Sequence, residues 1–125
     1  LFLKVHDITK NNEVPSVQSN ENIQEVIIEI SRKRLGATAV LEGEELVGII
    51  TDGDLRRMLE KGIKIEEVLA KDIMNKSPKM ISSSKLAIEA LKMMEQHNIT
   101  QLIVVEQKSY IGIIHMHDIL KEGIA

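Results

Sequence analysis

Val47-Gly48-Ile49-Ile50-Thr51-Asp52-Gly53-Asp54 returns as Ile111-Gly112-Ile113-Ile114-His115-Met116-His117-Asp118, with Gly48 and Gly112 64 positions apart. The same spacing pairs Ser19 with Ser83, Glu25 with Glu89 and Val40 with Val104. It also sets apolar Val17, Ile27, Ile30 and Leu35 against Ile81, Leu91, Met94 and Ile99. One coincidence carries nothing, but an ungapped series of them means an internal repeat. Nearer the N-terminus, Asp7-Ile8 resembles Asp72-Ile73 at a spacing of 65, so one residue has been inserted before Val17. The chain therefore divides into two copies, residues 1–62 and residues 63–125, the second opening with a linker turn.

Each copy carries the same order of local signals. In the first, Val14-Pro15-Ser16-Val17 is a short extended entry, because proline lacks a donor and belongs at a strand's start or edge. A helix follows: Asn20 or Asn22 caps it, and Ile23, Val26, Ile27 and Ile30 recur at helical spacing opposite Glu21, Gln24, Glu25 and Glu29. Gly36 is expected to end it. Ala37–Leu41 and Leu46–Ile50 read as two strands joined by Glu42-Gly43-Glu44-Glu45, a hairpin with a glycine in its turn. Thr51 or Asp52 caps a second helix running through Lys61, where Gly62 stops it. The second copy repeats the pattern over 79–81, 86–97, 102–106, 110–114 and a last helix beginning near His117. Each unit is thus β-α-β-β-α. In residues 63–76, Ile65, Val68, Leu69, Ile73 and Met74 are spaced to pack a helical turn, not to form a loose tether. A unit this small buries too little apolar surface to be comfortable alone, so the two are expected to pack together.

Composition narrows the function. With 125 residues, 43% hydrophobic and 28% charged, the chain can bury a core of Ile, Val, Leu, Ala and Met. Phe2 and Tyr110 are its only aromatics and its net charge is −3, which argues against both base stacking and a phosphate-tracking basic face. Nucleic acid is not an expected partner. The absence of cysteine excludes disulfides and thiolate metal sites and suits a reducing cytoplasm. No apolar run approaches the roughly 20 residues that span a bilayer, and the stretch in LFLKVHD is too short for a signal peptide. Because the first residue is Leu1, a processed product or a piece of a longer chain is expected. Catalytic machinery is not apparent: there is no P-loop, no serine with a plausible histidine and acid, and no spaced acidic metal cluster.

The repeat, with its Gly-apolar-apolar segment, a polar residue and an Asp three positions on, resembles the CBS domain over nearly the whole chain. That resemblance implies an α/β fold of tandem CBS repeats, a pseudo-twofold CBS pair or Bateman module with clefts that hold adenosine nucleotides or other nucleotide derivatives. Thr51-Asp52-Gly53-Asp54 matches the family's ribose-contacting pattern. The finer run Thr51-Asp52-Gly53-Asp54-Leu55-Arg56-Arg57 with Glu60-Lys61-Gly62, then Asn98-Ile99-Thr100, then His115-Met116-His117-Asp118-Ile119-Leu120, looks like the C-terminal half of bacterial arabinose 5-phosphate isomerases. In that family a sugar isomerase (SIS) domain carries catalysis and a CBS pair follows it. This sequence has no room for the SIS domain, so the expected role is regulatory, without catalytic residues and with no required cofactor. The implied setting is cytoplasmic synthesis of the lipopolysaccharide sugar Kdo. The implied partners are the SIS domain, a second CBS pair in a homodimer, and an effector. CMP-Kdo offers a ribose diol, a phosphate and a carboxylate. Two other classes stand beside this one: an AMP- or ATP-sensing pair from another host protein, and a ligand-free dimerisation module.

The residues themselves admit more than one reading. At a strand-to-helix junction, Thr51, Asp52 and Asp54 bring hydroxyl, carboxylate and backbone N–H groups together; a carboxylate accepts both hydroxyls of a sugar diol, and Gly53 lets a ligand approach. The plain alternative is a helix cap. Arg56 and Arg57 offer guanidinium forks suited to phosphate, though adjacent helical residues cannot both face one cleft. The Arg32-Lys33-Arg34 run is best read as complementing a helix dipole. His115 stands where Thr51 stands in the first copy, and with His117 it is placed to hydrogen-bond a phosphate or sugar carboxylate while Asp118 takes the diol. A zinc site there is weakly supported, since the ligand set is incomplete. Thr100 and Gln101 either line the same cleft or form a plain loop. Met74, Met80, Met93 and Met94 are read as adaptable core or interface filler.

Overall fold

The structure, a computed structural model of the chain, describes residues 2–123. Their order is α1 (Val5–Thr9), β1 (Ser16–Gln18), α2 (Ile23–Lys33), β2 (Ala37–Glu42), β3 (Glu45–Thr51), α3 (Asp52–Glu60), a 3-10 turn (Ile65–Glu67), α4 (Ala70–Ile73), β4 (Met80–Ser82), α5 (Ala87–His97), β5 (Gln101–Glu106), β6 (Ser109–His115) and α6 (Met116–Leu120). Leu1, Ile124 and Ala125, at the ends of the two sequence repeats, lie outside the described residues.

Two compact units result, and their borders are not those of the sequence repeats. One runs from Pro15 to Pro78; the other joins the N-terminal residues through Val14 to the chain from Lys79 onward. The linker turn therefore packs with the repeat that precedes it, and α1 packs with the repeat far from it in sequence. The hydrogen bonds show why. Ala70 N–H and Lys71 N–H, at the start of α4, donate to Glu21 O and Ser19 O at 2.9 Å each. Val5 N–H and His6 N–H, at the start of α1, donate to Lys85 O and Ser83 O at 2.8 and 3.0 Å. The duplicated turn before the main helix thus receives the duplicated short helix, and chain order does not decide which copy supplies it.

Within the Pro15–Pro78 unit, β1 lies parallel to β2 and β2 antiparallel to β3, with Val17 opposite Val40 and Val40 opposite Gly48. Asn22 caps α2 by accepting from Glu25 N–H at 2.9 Å, a contact type that stabilises by about 1 kcal/mol. The helix closes two residues before Gly36, on Arg34, which adopts left-handed φ 63° and donates its N–H to Ile30 O. Asn98 at φ 55° does the same for α5. The core is Val17, Ile23, Val26, Ile30, Val40, Ile50, Met58 and Ala70, flanked by Ile65, Val68, Ile73 and Met74 from the linker.

The other unit has the same β4-β5-β6 sheet and register, with Ile81 opposite Val104 and Val104 opposite Gly112. Its core joins Val5 of α1 to Ile81, Ala87, Ala90, Leu91, Met94, Leu102, Val104, Ile114 and Ile119. The C-terminal residues of β3 and β6, Thr51 and His115, are left half-buried at the sheet's end where the next helix starts. Of the methionines, Met94 is fully buried, Met74 and Met93 pack against the cores, and Met80 is 48% exposed.

Candidate functional site

The nine candidate residues fall into two groups, one in each unit. Thr51, Asp52, Asp54, Arg56 and Arg57 share the β3–α3 junction, and Thr100, His115, His117 and Asp118 share the β6–α6 junction.

At the first junction, a hydrogen bond from Asp52 N–H to Gly36 O at 3.0 Å holds the chain as it leaves the sheet. Thr51, in extended conformation, caps α3: its Oγ1 accepts from Asp54 N–H at 3.2 Å, and its own N–H donates to Asp54 Oδ2 at 2.9 Å. The Thr51 hydroxyl lies 3.2 Å from the same oxygen. This reciprocal box satisfies two helix-end donors. Asp54 Oδ1 accepts from Arg57 Nη2 at 2.7 Å, one turn along α3. The cap and the carboxylate are therefore the same side chains, and the two sequence readings do not exclude each other. Asp52 and Arg56 are exposed. Arg57 lines, with Asp54, Met58, Lys61, Ile63, Asp72 and Ile73, a shallow pocket of about 240 Å³ within this unit.

The second junction is built alike from different side chains. Met116 N–H donates to Thr100 O at 2.8 Å, the counterpart of the Asp52–Gly36 bond, so Thr100 meets the turn through its carbonyl. Its hydroxyl donates to Gln101 Oε1 at 3.0 Å. His115 replaces threonine as the cap, with Nδ1 accepting from His117 N–H at 3.0 Å. An accepting Nδ1 places the ring proton on Nε2. The imidazoles of His115 and His117 stack, centroids 5.0 Å apart and planes within 2°. Asp118 Oδ2 accepts from His115 N–H at 3.2 Å and from Asn12 Nδ2 at 3.1 Å. Sequence reading overlooked Asn12. Its partner is 106 residues away, and nothing in the local pattern around Asn12 announces it. Among the described residues no group of three His, Cys, Asp or Glu side chains is arranged to hold a metal ion.

One device underlies these turns. Lys4, Thr51, Leu69, Leu86 and His115 each donate a backbone N–H to the acidic side chain three residues on, Asp7, Asp54, Asp72, Glu89 and Asp118 respectively. Two of the five, Asp54 and Asp118, stand where a strand runs straight into a helix. There the carboxylate is half-buried and flanked by a hydroxyl or an imidazole.

The repeat, the sheet order and these junctions define a class of protein, and comparison with known families agrees: the CBS domain matches residues 5–61 and 70–124, and the chain belongs to that family. Solved structures share the fold. A putative signal-transduction protein with CBS domains from Burkholderia ambifaria MC40-6 superposes with a TM-score of 0.88 at 24% identity, covering 97% of this chain and 93% of that one. The CBS domain protein PAE2072 from Pyrobaculum aerophilum, solved with AMP, gives 0.83 at 22% identity over 96% and 97%.

Among curated proteins, arabinose 5-phosphate isomerase KdsD from Francisella tularensis subsp. tularensis is 46% identical over 123 residues, 97% of this chain and 38% of that protein. KdsD from Escherichia coli strain K12 is 33% identical over 126 residues, 99% of this chain. The chain spans 38% of the length of these relatives.

Proposed function

We propose that this chain is the regulatory, ligand-binding part of an arabinose 5-phosphate isomerase, that its effector is a nucleotide derivative, and that CMP-Kdo is that effector. The observation that carries the reading is the doubled junction: a half-buried carboxylate, Asp54 or Asp118, at the turn where a strand becomes a helix. A carboxylate there accepts both hydroxyls of a ribose. The adjoining Arg57, His115 and His117 supply donors for phosphate or carboxylate groups. Similarity to KdsD along 97% of the chain supports the isomerase as host. In that setting the SIS domain performs the interconversion of ribulose 5-phosphate and arabinose 5-phosphate in the cytoplasm. The effector acts by differing in affinity for two arrangements of the protein, since a ligand shifts an equilibrium only by that difference. Self-association belongs to the same proposal: Ile27, Ile28 and Leu59 in one unit and Leu120 in the other expose apolar surface.

Isothermal titration of CMP-Kdo, CMP, AMP and ATP into the protein tests the reading. Selective micromolar binding of CMP-Kdo is expected, weakened at least tenfold by Asp54→Asn, which keeps an oxygen to accept from Thr51 N–H, and more modestly by His117→Ala. Preference for AMP or ATP would transfer the proposal to adenine-nucleotide sensing; the Pyrobaculum protein of the same fold was solved in complex with AMP. A folded protein that binds none of the four would leave self-association as its function.

A further inference from the structure

At the first junction both oxygens of the Asp54 carboxylate are occupied. Oδ2 is tied into the capping box by Thr51 N–H and the Thr51 hydroxyl. Releasing it would unmake the start of α3, so it is the fixed oxygen. Oδ1 is held by Arg57 Nη2 at 2.7 Å, and that side chain is 62% exposed against 18% for Asp54. An exposed ion pair is weakly held and easily exchanged. The guanidinium also lies over Gly53, where a Cβ would stand 3.2 Å from Nη1. A larger residue at position 53 would crowd it.

The second junction lacks this arrangement. The position matching Arg57 is Lys121, and the ion pairs formed among the described residues are Lys33–Glu29 and Arg57–Asp54. Asp118 is held instead by the uncharged Asn12 amide.

We infer that Arg57 is a gate on the Asp54 carboxylate and a specificity determinant of that junction. This rests on the ligand-binding reading above and adds to it which ligands the junction admits. Oδ2 already accepts two hydrogen bonds and Arg57 fills one of the two acceptor sites of Oδ1, so both hydroxyls of a sugar diol fit on this carboxylate only by displacing the guanidinium, and the displaced cation needs an anion. A nucleoside phosphate brings one on the same ribose; a neutral nucleoside does not. The Asp54 junction therefore selects for phosphorylated ligands through competition at one oxygen, and the Asp118 junction does not share that selection.

The test compares CMP with cytidine, and AMP with adenosine, by calorimetry or ligand-observed NMR on the wild type, Arg57→Met and Arg57→Lys. Asp118→Asn is introduced into all three so that the first junction is read alone. Arg57→Met is expected to bind the nucleoside two- to fivefold more tightly than the wild type, about 0.4 to 1 kcal/mol at 1.4 kcal/mol per decade. It is also expected to bind the monophosphate more weakly, while Arg57→Lys falls between. A general loss of structure would weaken both ligands together; the gate moves them in opposite directions. An unchanged ratio of monophosphate to nucleoside affinity, with binding intact, overturns the gate and leaves the site. If neither ligand binds any of the three proteins, the gate is overturned, and titration of CMP-Kdo into the wild type decides separately whether the ligand-binding reading stands.

Discussion

Gly48 and Gly112 are the same residue of the repeat in different surroundings. A Cβ on Gly48 would stand 2.7 Å from the Met74 sulfur and 2.9 Å from Asn75 O, because the linker crosses β3 there and Asn75 exchanges backbone hydrogen bonds with Ile49. Met74 can move, but the backbone of Asn75, held by two hydrogen bonds, cannot do so cheaply. A Cβ on Gly112 meets nothing within 4 Å. Gly48→Ala is expected to cost about 1–3 kcal/mol through overpacking, and Gly112→Ala to cost less than about 1 kcal/mol. Chemical denaturation of the two variants decides it; equal losses would mean the linker does not rest on β3 as described. At this scale Asp54 and Asp118 were legible as repeat residues with a carboxylate to offer. Asn12 and the shared use of Asp54 by cap and arginine were not, since both depend on side chains meeting in space.

At the scale of elements, β1 is an edge strand closed by the helix beside it. Ser16 N–H donates to Glu29 Oε2 at 2.9 Å, and Lys33 Nζ donates to the same oxygen at 2.9 Å. A charged side chain that covers an edge amide discourages pairing with a second chain. Burial alone would raise the Glu29 carboxyl. The hydrogen bonds from Lys33 and Ser16, with the charges of Lys33 and Arg32, outweigh it and hold the carboxyl below its ordinary value of 4.5. A carboxylate depressed in the folded state contributes stability above its unfolded value, lost as pH falls through the folded one. Glu29→Gln is therefore expected to be less stable than the wild type near neutrality by roughly 0.5–1 kcal/mol. The gap should close as the solution is acidified below the ordinary glutamate range. Urea melts at several pH values measure it, and a gap that widens in acid would sink the account. In the other repeat the matching residues are Met80 and Met93, so this closure belongs to one edge only.

At the scale of the whole chain, the short helices are exchanged relative to the order of the repeats. Val5 is fully buried in the core built from α5, β5, β6 and α6, although it lies near the start of the chain. Val5→Ala is expected to destabilise by about 1–3 kcal/mol, and the loss should appear first in the repeat remote from it in sequence. Hydrogen exchange is the measurement. Faster exchange at β5 and β6 with β2 and β3 unchanged is the expected result, and the reverse would return α1 to the first repeat. Any truncation that removes the residues ahead of Pro15 to isolate a first repeat would, on the same grounds, injure the second.

Much of what repeats is legible in the residues alone: two copies of β-α-β-β-α, their hairpins, and the threonine or histidine with aspartate at each strand-to-helix turn, while the caps of the first copy are narrowed to Asn20 or Asn22 and to Thr51 or Asp52, of which the structure uses Asn22 and Thr51. Those features are local, and duplication displays each of them twice. Packing in three dimensions settled what is not local. It sent α1 to the second repeat's core and the linker to the first, because either short helix can donate to the duplicated turn that receives it. It closed α2 on Arg34 before Gly36 was reached. It also set Arg57 against Asp54 and Asn12 against Asp118, so that two turns alike in sequence offer different chemistry. Hydrogen-bond geometry between residues distant along the chain has no periodicity for a sequence to show.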